Sequence, residues 1–331
     1  MKFCYAAVAA IIVAGGLLAL GPKHIQLGSP STGDIALAGT LVRAHETGQH
    51  NLTAFTINGN QTTFAGLGSD ENTEVEIGSV TKVFTAELLH QEVERGNLQV
   101  DTTVGELIEV GDTPLSSVTL GELMDHTSGL PRLANANPFA GVTSVLTAAN
   151  PYENETAEDI VRAATQSNLK GRGEHSYSNL GYALLGYLLE QYTGTPYAEL
   201  VQERIFSPAK MTSTYVMTPG SVPADAPRGR TVRGMPADPW EMVGSAPAGA
   251  IRSTAHDMSK FARWIMDNGD FSYGWLTNSV EDGGGYWHNG GTYGYSTMLI
   301  IDPAKRQAVF VNNDTAVGTE ALARALKKEL Q

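Results

Sequence analysis

Three short stretches hold side chains that can move a proton or attack a carbonyl. The first is EIGSVTKVFTAELLHQEVERG, Glu76 to Gly96, where Ser79 stands three residues before Lys82. Residues three apart share a face of a helix, so the Lys82 amine can reach the Ser79 hydroxyl. A helix N-terminus offers free N–H donors and partial positive charge that stabilise an alkoxide or oxyanion. Burial lowers a lysine's pKa, which lets the amine accept a proton. The plainer alternative is that Ser79 caps the helix and Lys82 snorkels to the surface. S-x-x-K also occurs at Ser167/Lys170 and Ser207/Lys210, but only Ser79 follows a strand pattern and opens a long apolar helix. The second stretch places Tyr177-Ser178-Asn179 at a loop-to-helix junction. A tyrosine beside a lysine can share a proton and act as base, and an asparagine can donate to a substrate carbonyl. The alternative is an N-cap with a half-buried tyrosine, and Y-x-N recurs at Tyr152/Asn154. The third stretch, His288-Asn289-Gly290-Gly291, precedes a strand, and its glycines would let a substrate backbone approach. An ordinary glycine turn with a surface histidine is the alternative.

The elements that must position these groups follow from periodicity. TLVRA from Thr40, TAFTIN, and TEVEI from Thr73 to Ile77 have strand character, and Asn58-Gly59-Asn60 marks a hairpin. Val80, Val83, Phe84 and Leu88 then recur at helical spacing, with Gly96 as the stop. The middle of the chain is mostly helical. It contains TLGELMDHTSGL with Thr119 as cap, TAEDIVRAATQS with a T-x-x-D cap, NLGYALLGYLLEQYTG ending at Gly194, and PYAELVQERIF. A Pro/Gly-rich stretch runs from about Pro219 to Pro247. The end returns to a helix, STAHDMSKFARWIMDNG, capped by Ser253 or Thr254. Two strands, GYSTMLIIDP and RQAVFVNN, and a terminal amphipathic helix follow it. This order predicts an α+β fold, an antiparallel sheet built from both ends of the chain and flanked by helices, with a mostly helical insertion. The expected division is residues 39–105 with 245–331 for the sheet domain and 106–244 for the helical domain, with the active site in the cleft between them.

Composition narrows the function. The 331 residues are 42% hydrophobic and 17% charged, a globular mixture large enough for a sizeable core. Twenty-two basic against 35 acidic residues give a net charge of −13, which excludes nucleic acid as a partner. The single cysteine, Cys4, lies in the apolar N-terminal run, so the folded part has no disulfide or thiol chemistry. The eight histidines show no zinc-binding spacing, and no cofactor is expected. Lys2 followed by the uncharged run from Phe3 to Leu20 reads as a signal peptide or membrane anchor, which implies an exported protein, periplasmic or secreted. Ala36-Leu37-Ala38 resembles a signal-peptidase site, and residues 21–38 read as a linker. The G-x-S-x-G elbow of an α/β-hydrolase is absent.

The order Ser79-x-x-Lys82, Tyr177-x-Asn179, His288-x-Gly290 resembles the penicillin-recognising serine hydrolases, and looks most like the class C β-lactamases and their D,D-peptidase and esterase relatives. EIGSVTKVFTAELL, TLGELMDHTSGLP, YSNLGYALLGYLLE, GAIRSTAHDMSKFARW and WHNGGTYGYST carry the likeness from about Gly39 onward. The resemblance implies a β-lactamase/transpeptidase-like fold and a Ser79 acyl-enzyme. Lys82 and Tyr177 would handle protons, and Asn179 would hold the substrate amide. Backbone N–H groups of Ser79 and Gly291 would form the oxyanion hole, and His288, Asn289 and Gly290 would bind substrate. It further implies β-lactams, D-Ala-D-Ala-type peptides or small esters as substrates, with a monomer as the expected state. Ser128 in HTSGLP is expected to be a turn element. One departure stands out: H-N-G replaces the usual K-T-G, and a histidine is mostly neutral at pH 7 where a lysine is charged. A catalytically silent sensor of cell-wall fragments on the same scaffold is the reading from another functional class.

Overall fold

The computed structural model describes residues 25–134, 147–278 and 284–330, so the apolar N-terminal run and its targeting role lie outside the described residues. Seven strands form one sheet: β1 (Ser31–Gly33), β2 (Leu52–Asn58), β3 (Gln61–Leu67), β7 (Leu276–Thr277), β8 (Tyr286–Gly291), β9 (Ser296–Asp302) and β10 (Gln307–Asn313). Their order is β1-β3-β2-β10-β9-β8-β7, with every pair antiparallel. The two ends of the chain therefore meet at the centre, where Phe55 of β2 faces Phe310 of β10 and the two rings stack at 5.4 Å. A second, three-stranded sheet orders β4 (Val75–Glu76), β6 (Ile251–Ser253) and β5 (Tyr215–Val216) as β4-β6-β5.

The central strands read as unbroken apolar runs because both faces of the sheet are covered. Met298, Ile300, Val309 and Val311 pack with Leu37, Leu41, Leu322 and Leu326, from the helices Ile35–Ala44 (α1) and Glu320–Glu329. The alternate residues Leu299, Ile301, Ala308 and Phe310 join a larger core that continues through Phe84 and Phe261 to Leu180, Leu184 and Leu188 of the helical segment. Sheet and helical segment thus share one continuous apolar core.

Two local expectations change. TLVRA is part of α1 rather than a strand, and the linker expected over residues 21–38 is already folded from Ser31. Ser31–Gly33 pairs with β3, and Asp34 caps α1 by accepting from the Leu37 N–H at 2.8 Å. Leu37, Ala38 and Leu41 form the buried stripe of α1, a helical spacing that the short strand-like window concealed. The Ala36-Leu37-Ala38 tripeptide therefore lies inside a packed helix. No helix among the described residues is long and apolar enough to cross a membrane.

The other expected elements form. The hairpin closes through Gly59-Asn60, with Asn58 opposite Gln61. Thr119 and Thr156 each close a capping box, with Glu122 and Asp159 respectively. Thr254 rather than Ser253 caps Ala255–Asn268, and Gly194 ends Asn179–Thr193 in the left-handed conformation.

Candidate active site

Ser79 sits in a 3-10 turn, Gly78–Val80, between β4 and the helix Thr81–Glu94 (α2). That turn is clamped on both sides. Ile77 N donates to Ile251 O at 3.1 Å, Ile251 N donates to the Thr81 hydroxyl at 3.1 Å, and the Glu76 carbonyl accepts from Thr297 and Asn312 at 3.2 Å each. Two glycines allow β8 to lie directly on it. Gly78 has φ +50°, and a Cβ there would stand 2.7 Å from Gly291 N. A Cβ on Gly290 would stand 1.9 Å from Ile77 O.

The α2 helix is buried on almost all sides, including Thr81 to Leu89 without a break. Lys82 is fully buried with it and has no path to snorkel. Its Nζ donates to the Ala248 carbonyl at 2.6 Å and lies 3.1 Å from Ser79 Oγ. Burial, reinforced by the charge of Arg132, pushes its pKa well below the ordinary value of 10.5. An uncharged amine has a lone pair to take a proton. The Tyr177 hydroxyl donates to Ser79 Oγ at 2.7 Å, and Lys82 Nζ lies 5.0 Å from the centre of the Tyr177 ring. Burial raises the Tyr177 pKa, so the phenol keeps its proton. Serine, lysine and tyrosine, 98 residues apart at the extremes, thus form one cluster. Ser79 is not used as a side-chain cap.

The helix Asn179–Thr193 (α6) brings the tyrosine and asparagine. Ser178 caps it, accepting from Gly181 N at 2.9 Å and donating to Pro131 O at 2.7 Å. The Asn179 N–H donates to Arg132 O at 2.9 Å, so the Pro131–Arg132 loop is fixed to the start of α6. Asn179 Nδ2 donates to the Tyr152 hydroxyl at 3.2 Å, leaving Asn179 Oδ1 buried without a partner among the described residues. Trp240 Nε1 is a buried donor in the same condition. Both residues line a cavity of about 190 Å³ together with Ser79, Arg132, Glu155 and Gly291. Isolated buried polar atoms of this kind are costly, and two of them beside one nucleophile mark a place for a polar ligand.

The third motif divides along the pleat of β8. Thr292 N donates to Tyr295 O at 2.9 Å, which makes Gly290/Thr297 and His288/Leu299 the hydrogen-bonded pairs. Gly291 falls in a non-bonded pair, so its N–H points away from β9, on the edge beside the Ser79 turn. Asn289 does not reach the cavity. Its side chain faces the opposite layer and donates to Glu320 Oε1 at 3.0 Å. Gly290 packs on the nucleophile turn rather than against open space. His288 is neither a surface residue nor in this cavity. It is buried, its Nδ1 is 2.6 Å from Asn289 O, and it lines a separate cavity with His126, His175, Tyr177 and Tyr182. Burial and the nearby Lys82 push its pKa down to about 4, so it is neutral at pH 7. Ser128 is buried in its turn and accepts from Leu130 N at 3.4 Å.

Sequence reasoning passed over Tyr152, Trp240, Glu155 and Arg132. Arg132 had a visible signal, since it directly follows the HTSGLP segment; its Cζ now lies 4.9 Å from the Tyr177 ring centre. Tyr152 belonged to the second Y-x-N, whose tyrosine turns out to orient Asn179. Glu155 and Trp240 lie in irregular segments where no periodicity points to them. No group of three or more potential metal ligands occurs among the described residues.

An antiparallel sheet with a helical segment, and a serine, lysine and tyrosine meeting between them, form an arrangement chemically suited to acyl transfer. Comparison with known sequences makes this specific: the Beta-lactamase family matches residues 42–329, and the chain belongs to that family. Penicillin-binding protein 4 of Amycolatopsis lactamdurans is 28% identical over 219 residues, covering 62% of this chain and 54% of the relative. A penicillin-binding protein of Bacillus subtilis is 30% identical over 287 residues, covering 73% of this chain and 61% of the relative. The chain thus spans little more than half the length of these two relatives. Its fold is that of a class C β-lactamase from Rhodobacter sphaeroides, with a TM-score of 0.71 at 20% identity, covering 89% of this chain and 97% of that one.

Proposed function

We propose that the protein is an exported serine hydrolase that works through an acyl-enzyme on Ser79. The observation that carries this reading is the placement of one hydroxyl 3.1 Å from a buried amine and 2.7 Å from a phenol. Ser79 Oγ attacks the substrate carbonyl, and its proton passes to the neutral Lys82 amine. The carbonyl electrons move to oxygen, where the N–H groups of Ser79 and Gly291 stabilise the charge. The proton then goes, through Tyr177, to the leaving nitrogen or oxygen as its bond to the carbonyl breaks. Water attacks the ester by the same route in reverse and frees Ser79. Asn179 Oδ1 accepts from an N–H of the acyl group.

The substrate class includes β-lactams, D-Ala-D-Ala-type peptides and small esters or amides. The neutral, enclosed state of His288 favours the small esters and amides, because the charge that the usual K-T-G lysine offers a substrate carboxylate is missing from this strand. The test is hydrolysis of p-nitrophenyl acetate and of a chromogenic cephalosporin by the wild type and Ser79→Ala. The expected result is turnover of the ester that vanishes with Ser79. Equal rates for the two proteins would refute the reading, and a stable adduct without turnover would favour the sensor instead.

A further inference from the structure

Glu155 stands in the wall of the Ser79 cavity, with no cation paired to it among the described residues. Only one of its oxygens is engaged, Oε1, which accepts from the Ser245 hydroxyl; Oε2 has no hydrogen-bond partner among the described residues. Among the described residues Glu155 forms no ion pair, whereas its neighbour Asp159 is tied to Arg162. The cation that does line this cavity, Arg132, is held over the Tyr177 ring. The residue is not loose. Its N–H donates to Tyr152 O at 3.1 Å, and its carbonyl accepts from Gly244 N at 3.0 Å. A half-buried carboxylate fixed in place and left unpaired is unfavourable unless a ligand completes it. Burial and the adjacent Asp159 raise its pKa, the sign of a carboxylate that lacks a positive neighbour.

The surrounding wall suits a positive group. Trp240 packs edge-on between Tyr152 and Tyr293, with ring centres at 5.2 and 5.3 Å, and Tyr152, Trp240 and Tyr293 all line the cavity. Aromatic faces and a carboxylate together favour an ammonium over a neutral or anionic group. The cavity is about 190 Å³, the scale of one amino-acid residue, so a group that meets Glu155 belongs to the same small substrate that meets Ser79. The net charge of −13 draws cations toward the protein as well.

We propose that Glu155 recognises a cationic amine carried on the acyl part of the substrate. The amine is either the α-ammonium of an aminoacyl group or an amine further along its side chain. This inference rests on the acyl-transfer reading of Ser79 for its meaning, but its test does not depend on turnover.

Binding is measured by calorimetry in the Ser79→Ala protein, which cannot turn ligands over. The ligands are D- and L-alaninamide, their N-acetyl forms, 6-aminohexanamide and hexanamide. The expected result is that an ammonium-bearing ligand binds about tenfold or more tightly than its uncharged counterpart, and that Glu155→Gln erases the difference. Preference in the alaninamide pair assigns the α-ammonium, and preference in the hexanamide pair assigns the distal amine. Glu155→Asp should keep part of the preference, and a thermal midpoint of Glu155→Gln close to its parent shows that the fold is intact. Equal or weaker binding of both charged ligands would overturn the proposal, as would a preference that survives Glu155→Gln. Failure of the Ser79 reading shows separately, as wild-type hydrolysis that does not need Ser79.

Discussion

Two cavities of similar size and opposite character are lined by the two partners of one hydrogen bond, Ser79 and Tyr177. On one side, about 190 Å³ is lined by Ser79, Asn179, Arg132 and Glu155. On the other, about 150 Å³ is lined by His126, His175, Tyr182 and His288. Histidine is the usual side chain for proton transfer near pH 7, so composition alone would place the chemistry in the second cavity. The proposed reading puts it in the first, on the strength of the contacts that Ser79 makes with Lys82 and Tyr177. Nδ1 of His126 lies 3.1 Å from Ser178 N and so accepts its proton, and His288 Nδ1 is 2.6 Å from its neighbour's carbonyl. Burial, first of all, holds both rings neutral, at about 3 and about 4. Those imidazoles are occupied with backbone, whereas Asn179 Oδ1 and Trp240 Nε1 on the serine side have no partner among the described residues. Reactivity follows from unsatisfied groups around a nucleophile, and titratable side chains already satisfied by the fold contribute structure.

The largest expected effect tests the amine. Lys82→Met should lower the acylation rate by about 10⁴-fold or more, because among the described residues the only other ionisable group hydrogen-bonded to Ser79 is the Tyr177 phenol, which keeps its proton. The wild-type rate should fall as pH drops through the depressed Lys82 pKa, since protonation removes the lone pair that accepts the serine proton. Stability carries the same signature. The folded pKa of Lys82 lies below its unfolded value, so the penalty for burying the amine is absent above about 10.5 and grows as pH falls toward the folded pKa. Chemical denaturation of wild type and Lys82→Met across pH 7–10 should show wild type gaining relative stability as pH rises. A constant difference would mean that the amine is not buried in the way described.

Tyr177→Phe comes next, at about 10²- to 10⁴-fold in kcat, the usual worth of a positioned acid–base group. Asn179→Ala should cost about 10- to 100-fold in kcat/KM for amide-bearing acyl groups, and little for acetate esters that lack the N–H. The smallest effect belongs to the other cavity. His288→Gln should change kcat/KM by less than about tenfold and leave its pH profile unaltered between pH 6 and 8, because the ring is already neutral there. A large effect confined to anionic substrates would erase the contrast between the two cavities.

Much of this arrangement was legible in the residues. Ser79, Lys82 and Tyr177 were visible because helical spacing and loop-to-helix junctions are local properties, and local properties survive folding. The sheet built from both ends followed from where strand patterns begin and resume. The misread segment around TLVRA failed for a related reason: a five-residue apolar window fits strand and helix alike, and the deciding signal, the Asp34 cap, lay outside it. The faces of β8 were not legible. The three consecutive residues His288 to Gly290 looked like one substrate-binding motif, yet a strand sends neighbours to opposite sides, so His288 and Asn289 part company. Glu155 and Trp240 come from irregular segments, and only tertiary packing brings them to Ser79.

The most direct test is the mass of the intact protein after brief exposure to a fluorescent penicillin or an activated ester at pH 7, followed by mapping of the modified peptide. The expected result is a single acyl adduct on the peptide carrying Ser79, absent from Ser79→Ala and formed far more slowly by Lys82→Met. An adduct on another residue, or undiminished labelling of Ser79→Ala, would contradict it.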